Sequence, residues 1–381
     1  MSSPEKKRKK MPSAILPATP IPSLPNDLLY NCFARITRSY YPALSLASKS
    51  FRSLIASQEL YETRSLRSNT ESCLYLCLKF PYDPSPRWFT FCRKPTRKLI
   101  NGTEDKNEKN PSGNVLAPIT IPHSPQAHWK SGVAMVSVGY SIYAIGGAKK
   151  EARSSKVSIL DCRTNTWREG PSMLVERSYP EANVVDGKIY VTGGCGYYKS
   201  PVRMEVYDPE TQAWKLVMCP FAKSYACYVS SSKSIDGEIY MFGNKICVGY
   251  KPKEDRWEVM GRRRLNLSCE GVSWCTVGDV LYCYSYLDGL QWYNSKMRKW
   301  RCVKGFVDLE IMSGYFVEMV DYGGKIAVLS VPCRQNTTMW CAVIALRRTI
   351  SGNIWGKVEW CDAVLEVPAS FEFVCALAAT L

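Results

Sequence analysis

VDGKIYVTGGCGYYKSPVRMEVYDPETQAWKLVM, residues 185–218, decides how this chain folds. Asp186-Gly187 is a tight-turn dipeptide, and the alternating run KIYVT behind it suits a strand. The glycine pair Gly193-Gly194 and a polar stretch follow, then an apolar run that ends at Tyr207. A polar turn, DPETQA, separates Tyr207 from Trp214, which opens another strand. That offset of seven residues recurs from Leu160 to Trp167, from Tyr250 to Trp257 and from Tyr293 to Trp300. The four tryptophans lie 47, 43 and 43 residues apart. A period in the forties marks a repeat architecture, in which one unit cannot bury its apolar face alone.

A second marker keeps the same register. VGYSIYAIGG (138–147), VDGKIYVTGG (185–194), IDGEIYMFGN (235–244) and VGDVLYCYSY (277–286) share a glycine turn and a tyrosine: Tyr143, Tyr190, Tyr240 and Tyr282. YGGKIAVLSV (322–331) is a fifth copy with Ala327 in the tyrosine place. Each unit thus holds an inner strand, the glycine turn, the tyrosine strand, a variable loop and the tryptophan hairpin. Four antiparallel strands at this period make a β-propeller blade. The units fall at about 128–170, 178–218, 224–260, 269–303 and 313–367. They resemble the kelch repeat in the doublets Gly146-Gly147 and Gly193-Gly194 and in the spaced pair Tyr207 and Trp214. Later copies decay, to Gly243-Asn244 and then Ser285-Tyr286.

Closure sets the blade number. ESCLYLCLKF (71–80), RWFTFCRKP (87–95) and NVLAPITIP (114–122) read as three strands that no inner strand precedes. SFEFVCALAATL (370–381) reads as an inner strand without a blade. Placing the last segment in the first unit gives a mainly β fold, a six-bladed kelch-type propeller over 70–381, and leaves no open sheet edge. Residues 96–113 are polar and read as a mobile insertion in the first blade.

Ahead of the propeller the apolar spacing turns helical. In LPNDLLYNCFARI (24–36), Leu28, Cys32, Phe33 and Ile36 share one side, Pro25 suits a helix start and Asp27 favours its positive end. YYPALSLASKSFRSLIAS (40–57) repeats the pattern from Pro42. Residues 21–67 resemble an F-box. Leu24-Pro25, Asp27-Leu28, Ala34-Arg35-Ile36, the run Ser48-Lys49-Ser50-Phe51-Arg52 and Ser57-Gln58-Glu59-Leu60 carry the likeness. The resemblance implies a Skp-type adaptor as partner and, through it, a cullin. It implies adaptor contacts by Leu24, Pro25, Leu28, Leu44, Lys49, Phe51 and Leu54. An F-box followed by kelch repeats is a plant-type arrangement.

The composition narrows the function. Of 17 cysteines none forms a Cys-x-x-Cys pair, and many sit inside strands, as small apolar residues kept reduced do. No run has the length of a membrane helix, so no membrane partner is expected. An enzyme on this fold needs convergent ligands near the ring axis, and the chain has two histidines, His123 and His128. No catalytic residue, metal or cofactor is expected. The net charge of +16 begins with EKKRKK (5–10) in a tail, residues 1–20, read as disordered. Lys6, Lys7, Arg8, Lys9 and Lys10 form a nuclear-import pattern, giving a nuclear protein with a cytoplasmic pool. The remaining charge forms no aromatic-interleaved stripe, and no nucleic acid is expected.

These readings combine into the substrate receptor of an SCF-type ubiquitin ligase. The same residues also allow a kelch scaffold or regulatory binder outside ubiquitination. Strand direction puts the helical module on the face of the glycine turns and leaves the variable loops free on the other. There Lys149, Lys150 and Arg153, with Tyr197, Tyr198, Lys199 and Arg203, mark the expected contact with an acidic or mixed-polarity target protein. For the tail, neutralising Lys6 to Lys10 should move a fluorescent fusion out of the nucleus and leave its melting temperature unchanged. Nuclear enrichment that persists in the variant would assign import to another segment or a partner.

Overall fold

The computed structural model describes residues 24–93, 112–122, 132–149, 152–195, 203–220, 229–243, 247–260, 273–305, 309–314, 316–332 and 337–381. The basic tail, both histidines and nearly all of the 96–113 insertion lie outside these residues. Six four-stranded antiparallel sheets make a six-bladed propeller. From inside out, blade two is Val133–Val138, Ser141–Gly146, Val157–Asp161 and Thr166–Glu169. Blade three is Glu181–Val185, Lys188–Thr192, Arg203–Asp208 and Ala213–Met218. Blade four is Val229–Ile235, Glu238–Gly243, Cys247–Lys251 and Arg256–Met260. Blade five is Ser273–Val277, Val280–Ser285, Gly289–Asn294 and Lys299–Cys302. Blade six is Phe316–Asp321, Ile326–Val331, Thr338–Arg348 and Ile354–Glu366.

The two sequence markers keep one register because they meet in the packing between blades. Tyr207 and Trp214 are direct cross-strand partners with ring centroids 5.0 Å apart. Tyr250 and Trp257 pair likewise at 4.8 Å, and Tyr293 and Trp300 at 5.3 Å. The tyrosine of each second strand then reaches the next blade: Tyr143 lies 5.8 Å from Tyr207, and Tyr190 lies 6.3 Å from Tyr250. An aromatic lost from either marker would empty the same inter-blade layer, at a cost of about 3–5 kcal/mol. The turns follow the expected chemistry. Asp186 and Gly187 both have positive φ, 48° and 74°, as a two-residue hairpin turn of the primed type requires.

Blade one combines the two ends of the chain: Glu372–Thr380 inside, then Ser72–Lys79, Arg87–Arg93 and Asn114–Ile119. The closing register runs from Ser72↔Thr380 to Lys79↔Glu372, with a bulge between Cys77 and Leu78. Beyond it the Glu71 and Leu381 backbones donate to each other at 2.6 and 2.8 Å. Leu74, Leu76 and Leu78 of this strand are fully buried against blade six. The Ser112 hydroxyl donates to Asp362 across the same blade boundary.

Four short helices precede the ring: α1 (Asn26–Phe33), α2 (Tyr41–Ala47), α3 (Lys49–Ile55) and α4 (Gln58–Leu66). The 40–57 segment, continuous in its apolar spacing, breaks at Ser48. That residue is extended (φ −159°, ψ 157°), and its hydroxyl accepts from the Phe51 amide at 3.0 Å to cap α3. Deleting residues 370–381 should leave an apolar slot in blade one and two raw strand edges. The expected outcome is an insoluble product, or a melting temperature many degrees lower than frayed-end trimming gives. A soluble deletion that melts like the full chain would refute closure at this seam.

Candidate functional site

The helical module leaves several apolar side chains exposed. Leu24, Leu28 and Leu46 are 56, 51 and 79 % exposed, with Pro25 and Lys49 also exposed. Leu54 is turned the other way: it is 6 % exposed and packs with Phe33, Ala34, Tyr41 and Leu60. Phe51 stacks edge-on against Phe33 at 4.9 Å, and Leu44 packs half-buried on the same cluster. Of the seven expected adaptor contacts, then, Leu24, Pro25, Leu28 and Lys49 are free, while Leu54 serves the module's own core. Helices this small have one core face, and Leu54 falls on it once the chain turns at Ser48. Leu46 is bare as well and was not among the expected contacts. Its signal was a leucine two positions from the inward Leu44, on the opposite side of a helix of two turns.

A buried arginine fixes this module to the ring. The Arg64 guanidinium donates to the Ile36 carbonyl at 2.8 Å, the Tyr41 hydroxyl at 3.0 Å and Glu71 Oε1 at 2.6 Å. Glu71 Oε2 accepts from the Arg38 amide at 3.2 Å, and the Arg38 guanidinium lies 5.3 Å from the Tyr61 ring centre. Tyr61 belongs to the propeller core, beside Cys73, Tyr75 and Cys162. Burial pushes its phenol pKa up, against the opposing pull of Arg38. The Tyr75 hydroxyl donates to the Cys162 carbonyl at 2.8 Å at the base of the blade-two tryptophan hairpin. The module therefore sits on the face of the glycine turns.

On the opposite face a buried ion pair orders the loops of blades two and three. Arg177 donates to Glu205 at 2.9 Å with both side chains fully buried, and to the Gly193 carbonyl at 2.6 Å. Glu205 Oε2 accepts from the Leu174 amide at 2.6 Å. Gly194, at φ 75°, lets the Ser178 and Pro180 backbone approach where a Cβ would collide. Arg153 lies on a two-stranded ribbon, Ala148–Lys149 with Ala152–Arg153, and its guanidinium donates to the Cys195 carbonyl at 3.1 Å. Lys149 belongs to this ribbon through its backbone, and Arg203 starts the third strand of blade three opposite Met218. Lys150, Tyr197, Tyr198 and Lys199 lie outside the described residues. Leu174 and Tyr179 point outward from the ordered loop and are exposed.

Between the two faces runs a cavity of about 480 Å³, lined by the inner strands of all six blades. Its ionisable groups are Glu318 and Asp321 of blade six, Lys233 of blade four and Cys275 of blade five, with Glu181 of blade three 3.7 Å from Lys233. Burial lifts the Glu318 carboxyl to about 7, against the opposing effects of Lys233 and a hydrogen bond with Ser273. Asp321 is also raised by burial, with the Gly324 and Gly278 amides opposing. Among the described residues no group of three or more His, Cys, Asp or Glu could hold a metal ion.

Comparison with known proteins adds to this geometry. A family model described as FKB95, Kelch-repeats domain, matches residues 88–365, and one described as F-box domain matches residues 21–63. F-box/kelch-repeat protein At4g39550 of Arabidopsis thaliana is 50% identical over 398 residues, covering 100% of both chains. F-box/kelch-repeat protein At5g49000 of the same plant is 50% identical over 388 residues, and At4g39570 46% over 406, each again covering 100% of both chains.

The channel carboxyl has a measurable consequence. An unfolded glutamate titrates near ~4.3, so between that pH and about 7 the fold keeps a proton that the unfolded chain has lost. This contribution is complete below the unfolded value and lost as pH rises through the folded one. Allowing for partial solvent screening, Glu318→Gln should remove roughly 2 kcal/mol of stability loss between pH 4.5 and pH 8. Urea unfolding of both proteins at the two pH values measures it. Equal pH slopes would mean that Glu318 ionises normally in the fold.

Proposed function

This chain belongs to the F-box/kelch-repeat family, and from that premise we propose that it is the substrate-recognition subunit of an SCF-type cullin ubiquitin ligase. The observation that carries the reading is that Leu24, Leu28 and Leu46 are left bare on helices that Arg64 and Glu71 clamp to the ring. Burying one such leucine gains about 1.5–3 kcal/mol, so three of them suffice to anchor a Skp-type adaptor and, beyond it, the cullin. The propeller takes the target on the opposite face, around the loops of blades two and three. The chain acts without catalysis of its own. It supplies proximity, holding a target lysine within reach of the charged conjugating enzyme and raising its effective concentration. The work is done in the nucleus, which the basic tail gives it the means to enter.

The double variant Leu24→Ala, Pro25→Ala should lose roughly 2–4 kcal/mol of adaptor affinity, enough to abolish pull-down, while the propeller melts as before. Reconstituted with adaptor, cullin and conjugating enzyme, the wild type should support ubiquitin transfer to captured protein and the variant should not. Full adaptor binding by the variant would remove the basis of this function.

A further inference from the structure

Half of the formal net charge of the chain is concentrated in two stretches. NSKMRKWRCVKG (294–305) and LRRTISGNIWGK (346–357) hold eight basic residues and no acidic one, against +16 for the whole chain. They are the hairpin of blade five and that of blade six, and they touch. Lys304 donates its amide to the Ile354 carbonyl at 2.9 Å and accepts from the Gly356 amide at 2.8 Å. The Arg301 guanidinium donates to Asn353 Oδ1 at 3.2 Å, and Gly305, without a side chain, lets the Trp355 ring lie against it.

The blade-six hairpin also projects. Its third strand pairs with the second as far as Ile344↔Ile326, then continues with the fourth strand alone from Ala345↔Lys357 to Arg348↔Ile354. Four residues of overhang reach roughly 13 Å beyond the blade, on the face that carries the helical module. Arg298, Lys299, Lys304, Arg347, Arg348 and Lys357 are exposed, and among the described residues none has a carboxylate within ion-pair distance. The nearest acid in sequence, Glu359, is held by Lys325 at 2.7 Å. Ile350 at the tip is fully exposed and Trp355 half-exposed, apolar anchors among the cations.

We propose that the joined hairpins of blades five and six are a second docking surface for the adaptor–cullin assembly, fitting an acidic patch with apolar relief on its propeller-facing side. This rests on the function proposed above. Like charges this crowded repel one another in the free chain, and an acidic surface relieves the repulsion as it docks. Because the hairpins and the helical module lie on one face of the ring, a large body seated on the module has these cations on the same side. Two separated contacts resist the rocking that one contact on the helices permits.

The test titrates the full chain with a plant Skp-type adaptor bound to the N-terminal half of its cullin, at low and at high salt. The triple variant Lys299→Glu, Lys304→Glu, Lys357→Glu should bind about tenfold more weakly at low salt, with a flattened salt dependence and an unchanged melting temperature. If the triple variant melts early, Lys357→Glu alone carries the test, with a smaller loss in the same direction. Unchanged affinity and salt dependence in a charge-reversed protein, beside a wild type that binds, overturns the second contact and leaves the function standing. A wild type that binds no adaptor overturns both. Wild-type binding to duplex DNA or phosphatidylserine vesicles that the variants lose, with adaptor–cullin affinity unmoved, would assign the patch to a polyanion and overturn the proposal.

Discussion

Glu71 is where the closure of the ring and the attachment of the helices become one interaction. Its backbone exchanges two hydrogen bonds with Leu381, the residue that follows the closing strand. Its carboxylate receives Arg64 from α4 and the amide of Arg38. Removing the closing strand would bare Leu74 and Leu76 and also take away the backbone that orients this carboxylate. Removing the carboxylate would leave Arg64 buried without its countercharge, held by the Ile36 carbonyl and the Tyr41 hydroxyl. The ring therefore cannot loosen at its seam without loosening its helices.

That coupling bears on the function proposed above. About forty residues of short helix cannot hold their own shape, because too little of their surface is buried. Here they borrow order from the propeller, through Tyr61 inserted beside Cys73 and Cys162. A rigid mount matters more than a tight one when the task is proximity. Effective concentration falls steeply if the bound target explores positions from which the reacting groups do not meet. An arm tied by arginine, carboxylate and aromatic contacts from several directions restricts that exploration better than apolar contact alone, which permits sliding.

The propeller was legible in the sequence because its signal is redundant. An offset of seven between Tyr207 and Trp214 is the spacing of direct partners across one hairpin, and the same pair packs on the tyrosine of the preceding blade. A constraint that acts within a blade and between blades leaves two marks in register. The helical module was legible in kind and less so in orientation. Seven-residue helices separated by a capped break make each side chain's direction depend on the break, which is how Leu54 came to face inward and Leu46 outward. The channel left no mark at all. Glu318 sits in FVEMVD, an alternating run that any half-exposed strand could have. Its burial arises only when five other inner strands converge on it, a property of the ring and of no single repeat. Arg64, in a polar stretch of α4, was hidden for the same reason.

The free face repays the same physical reading. A fully buried ion pair such as Arg177 and Glu205 is weak evidence of stability, since taking both charges out of water costs about as much as their attraction returns. What the pair secures is geometry. With its charges satisfied by the Gly193 carbonyl and the Leu174 amide, the loop from Met173 to Tyr179 is tied at both ends to blade three. The Ser154 amide donates to the Arg177 carbonyl and the Arg177 amide to the Ser154 carbonyl, which ties it to blade two as well. Loops on a recognition surface usually lose entropy when a partner orders them, about 0.5–1.5 kcal/mol for each mobile side chain. Here the backbone under Leu174 and Tyr179 is ordered before any partner arrives. Any partner that met this face would spend less of its binding energy on ordering the backbone beneath it.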